Sequence, residues 1–535
     1  MDSQVEGKIS PSQKESSSTS GLVSPSEDGP AHQKIHRDQL SLDQIKKIRE
    51  ERAQKRQVRR NSLISQGKDP DFPTPDLQFI ERPFLPINHD NSKGLTPATI
   101  QVTQDSLDVK IMTYNTLAQT LIRRDFFPES GPALKWHKRS KVLVYELKKY
   151  RPDVVSLQEV DYNELNFWQE NFHKLGFDMI FKRHEGKTHG LLVAWNNKKF
   201  QLDNDWMLDY DNILAGNVIS ARTRTKNIAL IISLYFKGIT DSSSRGIIVA
   251  NTHLFWHPFG VFERLRQSYL VLQKIQEIKA CSKYNGWHSL LMGDFNTEPE
   301  EPPYLAITKR PLILKGPIRA MVECSLAYRY SKKRNGEESD QDDEECDEKS
   351  RGEGHSDQPQ NPKPESFTAT KEEKALVNQL VALHNSLHVK GVSLYGIGYG
   401  KVHPENANGS HGEPGLSNWA NTWCGLLDYI FYIEGDHNQD TRQKEPLNAF
   451  EGNNNVKIIG YLRMPCAQEM PKHSQPFEGE YASDHISLMC QIRLFFWGGG
   501  GGGGVGGGKE RQYFYIVVFF FFLKKKKQHQ AALWV

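Results

Sequence analysis

The chain contains 535 residues, of which 37% are hydrophobic and 25% are charged, and its formal net charge is +3. This length exceeds that of one average domain, although single α/β domains of about 250 residues or more are common. Six cysteines without a CxxC pair argue against a zinc site or a disulfide framework and fit a reducing compartment. Residues 1–20 lack the apolar segment of a secretion signal, so the composition favours an intracellular protein.

Residues 1–108 are predicted to be disordered apart from one basic helix. The segment from 1 to 40 is rich in Ser, Gln, Pro and charged residues, and such a composition cannot bury enough apolar surface to fold. Residues 42–61, LDQIKKIREERAQKRQVRRN, predict a helix with a large excess of Lys and Arg. Three interpretations of this helix remain open, namely a solvated arm, an RNA contact and a nuclear-import signal.

From Val109 onwards, short apolar runs alternate with helical patterns. Runs such as VKIMTYN, DVVSLQEV, GIIVANTHL and SLLMGDFN predict β-strands, and several of them are apolar on both faces. Residues 136–150 and 262–278 predict amphipathic helices, because their apolar side chains recur on one face. We therefore predict one large domain over residues 109–494 of the α/β class, built as a layered sandwich with two central sheets.

Two segments are predicted to lie outside this packed core. Residues 335–366 are acidic and almost free of apolar side chains, which predicts a disordered surface insertion that would repel nucleic acid. In the tail, residues 495–535, a glycine-rich stretch precedes FYIVVFFFFLKKKK, whose apolar run is shorter than the roughly 20 residues of a membrane span. Such runs are also expected from translated homopolymer tracts, so we interpret the tail as a gene-model artefact rather than an anchor.

Polar side chains stand at the ends of several apolar runs, where a rigid sheet could hold them over a cleft. Each one alone has a structural explanation, such as a turn residue or a satisfied buried acid. Their joint occurrence predicts a functional site. These residues are Asn115, Glu159, His253, Asp294, Asn296, Asp428, Asp484 and His485.

The donor types in this set indicate a chemistry. Oxygen donors such as Glu159, Asp294 and Asn296 suit Mg²⁺, whereas zinc would need more histidines or cysteines. Mg²⁺ with a carboxylate base and histidine donors suits phosphoester hydrolysis. In the DFN sequence, strand alternation turns Phe295 into the packing, and Gly293 is expected to permit a close backbone approach at the cleft or to mark a bulge.

The motifs TYNTLA, LQEV, NTHLFWHP, MGDFNTEP, LDYIFY and SDH occur in an order that resembles the endonuclease/exonuclease/phosphatase superfamily. These motifs are most similar in sequence to those of the deadenylase-like branch, which is of the carbon-catabolite-repressor-4 and nocturnin type. Within that branch they are most similar to the fungal Ngl RNA exonucleases. The resemblance covers residues 109–494 and implies a DNase I-like, four-layered α/β sandwich with two central mixed β-sheets.

The resemblance also implies an activity. It suggests a Mg²⁺-dependent 3′→5′ exoribonuclease that releases nucleoside 5′-monophosphates from single-stranded RNA 3′ ends, with Mn²⁺ expected to be able to substitute. Processing of ribosomal RNA precursors and poly(A) shortening both remain open, as do the nucleus, nucleolus and cytoplasm. The chain lacks leucine-rich repeats, so we expect a free-standing enzyme without a membrane partner rather than a core subunit of the large deadenylase complex.

The resemblance further implies a set of metal ligands. Glu159 would be the principal Mg²⁺ ligand, with Asn115 beside it. Asp294 and Asp484 would supply further carboxylates near the metal ion. Asn296 would bind the phosphate or a second metal ion.

The implied catalytic residues are Asp294, His485, His253, Asp428 and Asn296. Asp294 would align or deprotonate the attacking water. His485 would contact the scissile phosphate in an orientation set by Asp428, and His253 would make another phosphate contact.

Substrate-binding roles are implied for Asn115, His253, Pro258 and Trp423. Pro258 and Trp423 occupy the positions at which the branch holds the terminal base, and a tryptophan would offer a stacking face. Two rival functions remain open. One is the same site acting as a phosphatase or phosphodiesterase on a nucleotide or another small phosphoester, and the other is a non-catalytic RNA-binding protein.

Overall fold

The computed structural model describes residues 42–66, 79–88, 105–237, 245–328, 367–408, 411–420, 423–435 and 446–496. Residues 1–41, the predicted acidic insertion 335–366 and the tail from residue 497 lie outside these ranges. The chain divides into two units, residues 1–76 and residues 77–535. In the first unit the predicted basic helix is found as α1, which extends four residues past the predicted end and exposes Val58 and Ile64.

The described residues form nine α-helices. They are α1 Leu42–Ser65, α2 Trp136–Tyr150, α3 Leu165–Leu175, α4 Val261–Ala280, α5 Pro302–Thr308, α6 Gly316–Ala327, α7 Lys371–Asn385, α8 Leu394–Gly398 and α9 Leu447–Asn454.

Seventeen strands lie in the described part of the second unit. They are β1 Phe84–Pro86, β2 Asp105–Asn115, β3 Val154–Asp161, β4 Phe177–Lys182, β5 His189–Asn196, β6 Phe200–Asp209, β7 Ile228–Phe236, β8 Gly246–His253, β9 His288–Asp294, β10 Val389–Ser393, β11 Ala407–Asn408, β12 Glu413–Pro414, β13 Asn418–Trp419, β14 Cys424–Gly425, β15 Asp428–Gly435, β16 Val456–Leu462 and β17 Leu488–Phe496.

Two large mixed sheets organise this unit. The seven-stranded sheet has the order β1-β16-β17-β2-β3-β5-β4, and the six-stranded sheet has the order β10-β15-β9-β8-β7-β6. Strand alternation sends Val249 and Leu290 into a core shared with Val154 of the other sheet. Their neighbours Ile248 and Leu291 pack on the opposite face with α4 and α7. The predicted four-layered α/β sandwich with two central mixed sheets is therefore confirmed.

Strand direction brings the ends of six strands to one edge of the sandwich. β2 is parallel to β3, and β8 is parallel to β9, so the carboxyl ends of these strands coincide. β17 runs antiparallel to β2, and β15 runs antiparallel to β9, so their amino ends lie at the same edge. Residues far apart in the sequence can therefore meet there.

The ordered domain begins earlier than the predicted boundary at residue 109. β2 starts at Asp105, and β1 pairs antiparallel with β16 through Phe84–Pro86. The sequence pattern does not predict β1, because this strand has only three residues and contains a proline. A proline is tolerated there because β1 is an edge strand. At the other end, β17 continues two residues beyond the predicted limit, to Phe496.

A search of the ranges named above finds no helix that is both long enough and apolar enough to span a bilayer.

Candidate active site

Gly293 explains how a buried strand can end in an aspartate at the cleft. Its φ of 147° is rare for residues with a side chain, and a Cβ atom there would lie 1.9 Å from the carbonyl oxygen of Thr252. The close approach joins β8 to β9 within the sheet, rather than bringing the backbone to the cleft as the sequence suggested. In the continuous parallel register of these two strands, His253 is the partner of Asp294.

Asp294 is buried at the centre of the site. Its Oδ2 atom accepts a hydrogen bond from Asn115 Nδ2 at 2.9 Å and lies 3.6 Å from His253 Nε2 and 3.5 Å from His485 Nε2. Its Oδ1 atom accepts the Asn296 backbone N–H at 2.9 Å. Burial raises the pKa of Asp294 despite the opposing effect of the two histidines.

Asn115 links the carboxylates that the two sheets contribute. Its Nδ2 atom donates to Glu159 Oε1 at 2.8 Å as well as to Asp294. The amide orientation is fixed because Oδ1 accepts the Leu117 backbone N–H at 3.0 Å. The side-chain nitrogen of Asn115 therefore faces the two carboxylates. Its oxygen, which was expected to be a metal ligand, faces the Leu117 backbone N–H instead.

Glu159 projects from an irregular part of β3. Its φ of 54° lies in the left-handed region, and the pairing of β3 with β5 shifts register between Leu157 and Val160. Its Oε2 atom accepts the Ala118 backbone N–H at 2.9 Å. Left-handed backbone in a residue other than glycine costs about 1–3 kcal/mol and tends to occur at functional sites. The bulge turns this carboxylate towards Asn115 and Asp294.

His485 and Asp428 form a buried ion pair. His485 Nδ1 donates to Asp428 Oδ2 at 2.7 Å, and the same oxygen accepts the Ser417 hydroxyl at 2.7 Å. Burial alone would lower the pKa of His485, but the Asp428 and Asp294 carboxylates outweigh it and raise that pKa well above the ordinary value. These carboxylates therefore favour the protonated form of His485, and its Nε2 atom lies 3.5 Å from Asp294 Oδ2 at the centre of the site.

The remaining predicted residues lie around this centre. Asn296 has a φ of 47°, and its side chain donates to the Leu254 carbonyl at 3.0 Å. Asp484 is half-buried, and its Oδ1 accepts the Ser483 hydroxyl at 3.3 Å. Ser483 is also within 2.8 Å of the Asn115 carbonyl, so the segment that carries Asp484 is attached to the end of β2.

The two residues expected to hold a base are both exposed, on separate loops. Pro258 lies between β8 and α4. Trp423 precedes β14 and is 41% exposed. The strand β13 that pairs with β14 is attached to the site, because the Trp419 N–H donates to the Asp484 carbonyl at 2.7 Å.

The donor set of the site fits a divalent cation. Glu159, His253 and Asp294 each offer a ligand atom, and these atoms lie within 4.8 Å of one another. Two carboxylates facing one space, one of them almost fully buried, suit a hard divalent cation such as Mg²⁺ or Mn²⁺. A second group of similar size, Asp294, Asp428 and His485, is better explained as an ion pair because His485 Nδ1 already binds Asp428.

The profile of the Endonuclease/Exonuclease/phosphatase family matches residues 112–485. The chain belongs to the endonuclease/exonuclease/phosphatase family. It is 99% identical over 496 residues to the Saccharomyces cerevisiae protein named "Probable RNA exonuclease NGL3", across 93% of this chain and 98% of that protein. It is also 42% identical over 475 residues to "RNA exonuclease NGL2" of the same organism, across 85% and 89% of the two chains. The predicted family resemblance is confirmed.

Among solved structures, the endonuclease/exonuclease/phosphatase domain aligns with the crystal structure of ANGEL2, a 2′,3′-cyclic phosphatase, in complex with adenosine-2′,3′-vanadate. The TM-score is 0.47 at 20% identity, and the alignment covers 74% of this chain and 99% of that one.

Sequence reasoning missed a buried arginine behind the endonuclease/exonuclease/phosphatase site. Arg139, on α2, donates to the carbonyls of Thr116 at 2.8 Å, Leu117 at 2.7 Å and Ala482 at 3.0 Å. Burial lowers its pKa to about 10, against the opposing effect of nearby carboxylates, foremost Asp161. Arg139 therefore joins the loop after Asn115 to the segment that precedes Asp484. An arginine in an amphipathic pattern gives no signal that it points inwards.

A buried amide pair connects the two sheets beneath the site. Gln158 Nε2 donates to Asn251 Oδ1 at 2.7 Å, and Asn251 donates in turn to the Leu157 and Leu192 carbonyls. Both amides are fully buried. Their signal in the sequence is a polar residue that interrupts an apolar run, in VVSLQEV and in GIIVANTHL.

Proposed function

We propose that the protein is a Mg²⁺-dependent 3′→5′ exoribonuclease that releases nucleoside 5′-monophosphates from single-stranded RNA. The observation that carries the proposal is the convergence of Asn115, His253 and His485 on one buried carboxylate, Asp294. The choice of RNA is supported by two relatives, 99% and 42% identical, that are named RNA exonucleases.

Asp294 acts as the general base in this proposal. Burial raises its pKa, so it accepts a proton from the attacking water more readily than an exposed aspartate. Asn115 holds its Oδ2 atom in place, and the Asn296 N–H holds Oδ1. The carboxylate therefore needs little rearrangement when the water arrives.

His485 and His253 bind the scissile phosphate. In the His485 imidazolium, Nδ1–H donates a hydrogen bond to Asp428, and Nε2–H donates to a phosphoryl oxygen of the substrate. Such a preorganised, charged donor stabilises the negative charge that increases in the transition state. Asp428 and Ser417 hold the imidazolium in position.

Glu159 and Asp294, with His253 close by, would hold the metal ion. A bound Mg²⁺ ion offsets negative charge on the phosphoryl oxygens. Asn115 then serves mainly to separate and orient the two carboxylates, since its nitrogen faces both of them. Asp484, attached through Ser483 to the end of β2, contributes negative charge nearby.

Trp423 and Pro258 bind the terminal base in this proposal. The exposed indole of Trp423 offers a surface on which any base can stack, which suits an enzyme that removes successive nucleotides. Trimming of ribosomal RNA precursors and poly(A) shortening are both consistent with such a site. Sequencing of RNA 3′ ends from cells that lack the protein would identify the physiological substrate.

The biochemical test uses 5′-labelled single-stranded RNA, abasic DNA and a nucleotide phosphate, each with and without Mg²⁺. We expect a ladder of RNA products shortened from the 3′ end and release of nucleoside 5′-monophosphates. An Asp294→Asn variant controls for contaminating nucleases. Hydrolysis of the DNA or the nucleotide phosphate alone would overturn the choice of substrate, and RNA binding without any hydrolysis would indicate a non-catalytic protein.

A further inference from the structure

A cavity next to the proposed active site presents cationic side chains that the catalytic proposal does not use. The cavity has a volume of about 250 Å³, and its lining includes His184, Arg224 and Lys226 together with the carboxylates of Glu185 and Asp211. A smaller recess lined by His184, Lys187, Lys226 and His253 continues from it. The two share His184 and Lys226, so together they form a path that ends at His253. We call this path the basic groove and define it by His184, Lys187, Arg224 and Lys226.

The basic groove lies at the same edge of the sandwich as the active site. One of its walls is the loop between β4 and β5, which carries His184 and Lys187, and the other is the loop between β6 and β7. β5 is antiparallel to β3, and β7 is antiparallel to β8, so both loops lead into strands that begin at the site edge. The groove therefore extends the active-site cleft along the rim of the two sheets.

Hydrogen bonds hold the groove against the active site. Asn227 donates from its side chain to the His253 carbonyl at 2.8 Å, and its Oδ1 accepts the Lys187 ammonium at 2.9 Å. The Lys226 ammonium donates to the Gly186 carbonyl at 3.3 Å and so spans the two walls. The Gly186 carbonyl is a neutral partner, so this contact does not offset the positive charge of Lys226.

Lys226 is held in an uncommon backbone conformation. Its φ of 53° is left-handed, which costs about 1–3 kcal/mol for a residue with a side chain. Asp211 stabilises this conformation by accepting the backbone N–H groups of Thr225 at 2.9 Å and of Lys226 at 2.7 Å. Strain of this kind persists where the local structure enforces it, and here it aims a lysine between the two walls.

The acidic residues beside the groove do not turn it into a cation site. His184, Asp209 and Asp211 could each offer a metal ligand. Asp211, however, also accepts the Thr225 hydroxyl at 2.8 Å, and Asp209 accepts the Asn212 amide at 2.7 Å. Asp211 is thus occupied by the segment that carries Thr225 and Lys226, and Asp209 by Asn212 and by His184, whose Nε2 lies 3.6 Å from Asp209 Oδ2. The flanking Lys226 and Arg224 would repel a metal ion and attract an anion.

We propose that the basic groove binds the backbone phosphates of the RNA chain next to the terminal nucleotide. This inference rests on the proposed exoribonuclease function and adds a substrate preference to it. Ammonium and guanidinium groups along a groove track a phosphate backbone without regard to sequence. The enzyme should therefore prefer a chain of several nucleotides over a dinucleotide, which would occupy the active site without reaching Arg224.

The test compares two charge-neutralising double variants of the full chain. Arg224→Gln with Lys226→Gln removes two cations of the groove. Lys174→Gln with Lys198→Gln is the matched control, because both lysines are exposed and lie near the far end of β4 and β5. Thermal unfolding of each variant verifies that it is folded.

The binding measurement uses a single-stranded RNA dodecamer in EDTA, so that affinity is recorded without turnover. We expect the groove variant to raise the Kd by about 10-fold and to reduce the slope of log K against log salt by about 1.4, because each lost phosphate contact contributes about 0.7 for a single strand. In Mg²⁺, the KM for the dodecamer should rise similarly, while kcat/KM for a dinucleotide should stay unchanged.

Two results would overturn the groove assignment. One is dodecamer binding equal to that of the control variant, and the other is an equal loss on the dinucleotide and the dodecamer, which would indicate a disturbed active site. If the unsubstituted protein hydrolyses no RNA but the groove variant still binds the dodecamer more weakly, the exoribonuclease proposal fails and the groove assignment stands.

Discussion

The six-stranded sheet presents its site residues as neighbouring strand termini, whereas the seven-stranded sheet presents them from irregular backbone. His253, Asp294 and Asp428 lie side by side in register at the ends of β8, β9 and β15. Glu159, in contrast, has left-handed backbone within a register shift, and His485 precedes β17. One half of the site is positioned by regular strand pairing and the other by local hydrogen bonds.

This difference suggests that the two halves of the site have different roles. Strand pairing fixes the buried Asp294 and its neighbour His253 to within the tolerance of a sheet, which suits the residue proposed as the general base. The irregular half depends on Asn115, on Ser483 and on the buried Arg139 for its geometry. We expect the two halves to respond differently to substitution.

Glu159→Ala should have the largest effect on turnover. It removes the principal carboxylate of the irregular half, and the loss of several kcal/mol of metal-mediated stabilisation corresponds to about 10³-fold or more in kcat. RNA binding in EDTA should be largely intact because no groove cation is altered. Single-turnover kinetics across a Mg²⁺ titration would measure the effect, and unchanged turnover would refute the metal assignment.

Asp428→Asn tests the regular half through its pH dependence. In the native protein the Asp428 and Asp294 carboxylates outweigh burial and raise the pKa of His485. Without the Asp428 carboxylate this pKa should fall, so the imidazolium is lost at a lower pH, and we expect a deficit of about 10²-fold near pH 8 that shrinks towards pH 6.

A pH–rate profile of kcat for Asp428→Asn beside the unsubstituted protein gives the measurement. A deficit that is the same at every pH would contradict the proposed role of the ion pair. For stability the pH dependence runs the other way, because a raised histidine pKa stabilises the fold below the unfolded-state pKa and this contribution is lost as the pH rises through the folded-state pKa. The variant should therefore lose most stability under acidic conditions.

Arg139→Lys should destabilise the backbone geometry of the irregular half without altering a residue proposed to contact the substrate. A lysine cannot reach three carbonyls at once, and each buried carbonyl left without a donor costs about 1–3 kcal/mol. We expect a lower Tm and a reduced kcat with little change in KM. Arg151→Lys, at the exposed end of the same helix, is the matched control. Equal Tm values for the two variants would show that the three bonds contribute little.

Trp423→Ala should have the smallest effect, because it lies outside both halves. Base stacking on an aromatic ring contributes about 1–3 kcal/mol, so KM for RNA should rise by about 10-fold or somewhat more with kcat largely preserved. Trp423→Phe keeps a stacking face and should restore most of the affinity. If the phenylalanine variant is as defective as the alanine variant, the indole has a packing role instead.

The regular half could be predicted from the sequence almost completely. Apolar runs that end in NTH and GDFN identify strands, and parallel pairing brings His253 and Asp294 together at one edge. Phe295 is fully buried, as strand alternation predicts, and packs edge-on against Phe431. The strand ends and the burial of Phe295 could be predicted because strand period is a local rule, whereas the parallel pairing of β8 with β9 is known from the structure.

The irregular half could not be predicted in the same way. Nothing in LQEV signals the positive φ of Glu159, and Ser417 has no local pattern that connects it to Asp428. Arg139 and Arg82 are charged residues whose burial depends on carbonyls and carboxylates supplied by distant segments. Contacts of this kind are decided by tertiary packing, on which periodicity carries no information.

Gly293 has a consequence for the tolerance of this chain to mutation. Every amino-acid replacement that the genetic code can introduce there adds a Cβ atom against the Thr252 carbonyl oxygen, so even alanine would push β8 and β9 apart. Gly286 also has a positive φ, but a Cβ atom there would meet open space. A saturation library should therefore accept several residues at position 286, Asn among them, and none at position 293. A comparison of sequences alone would treat these two glycines alike.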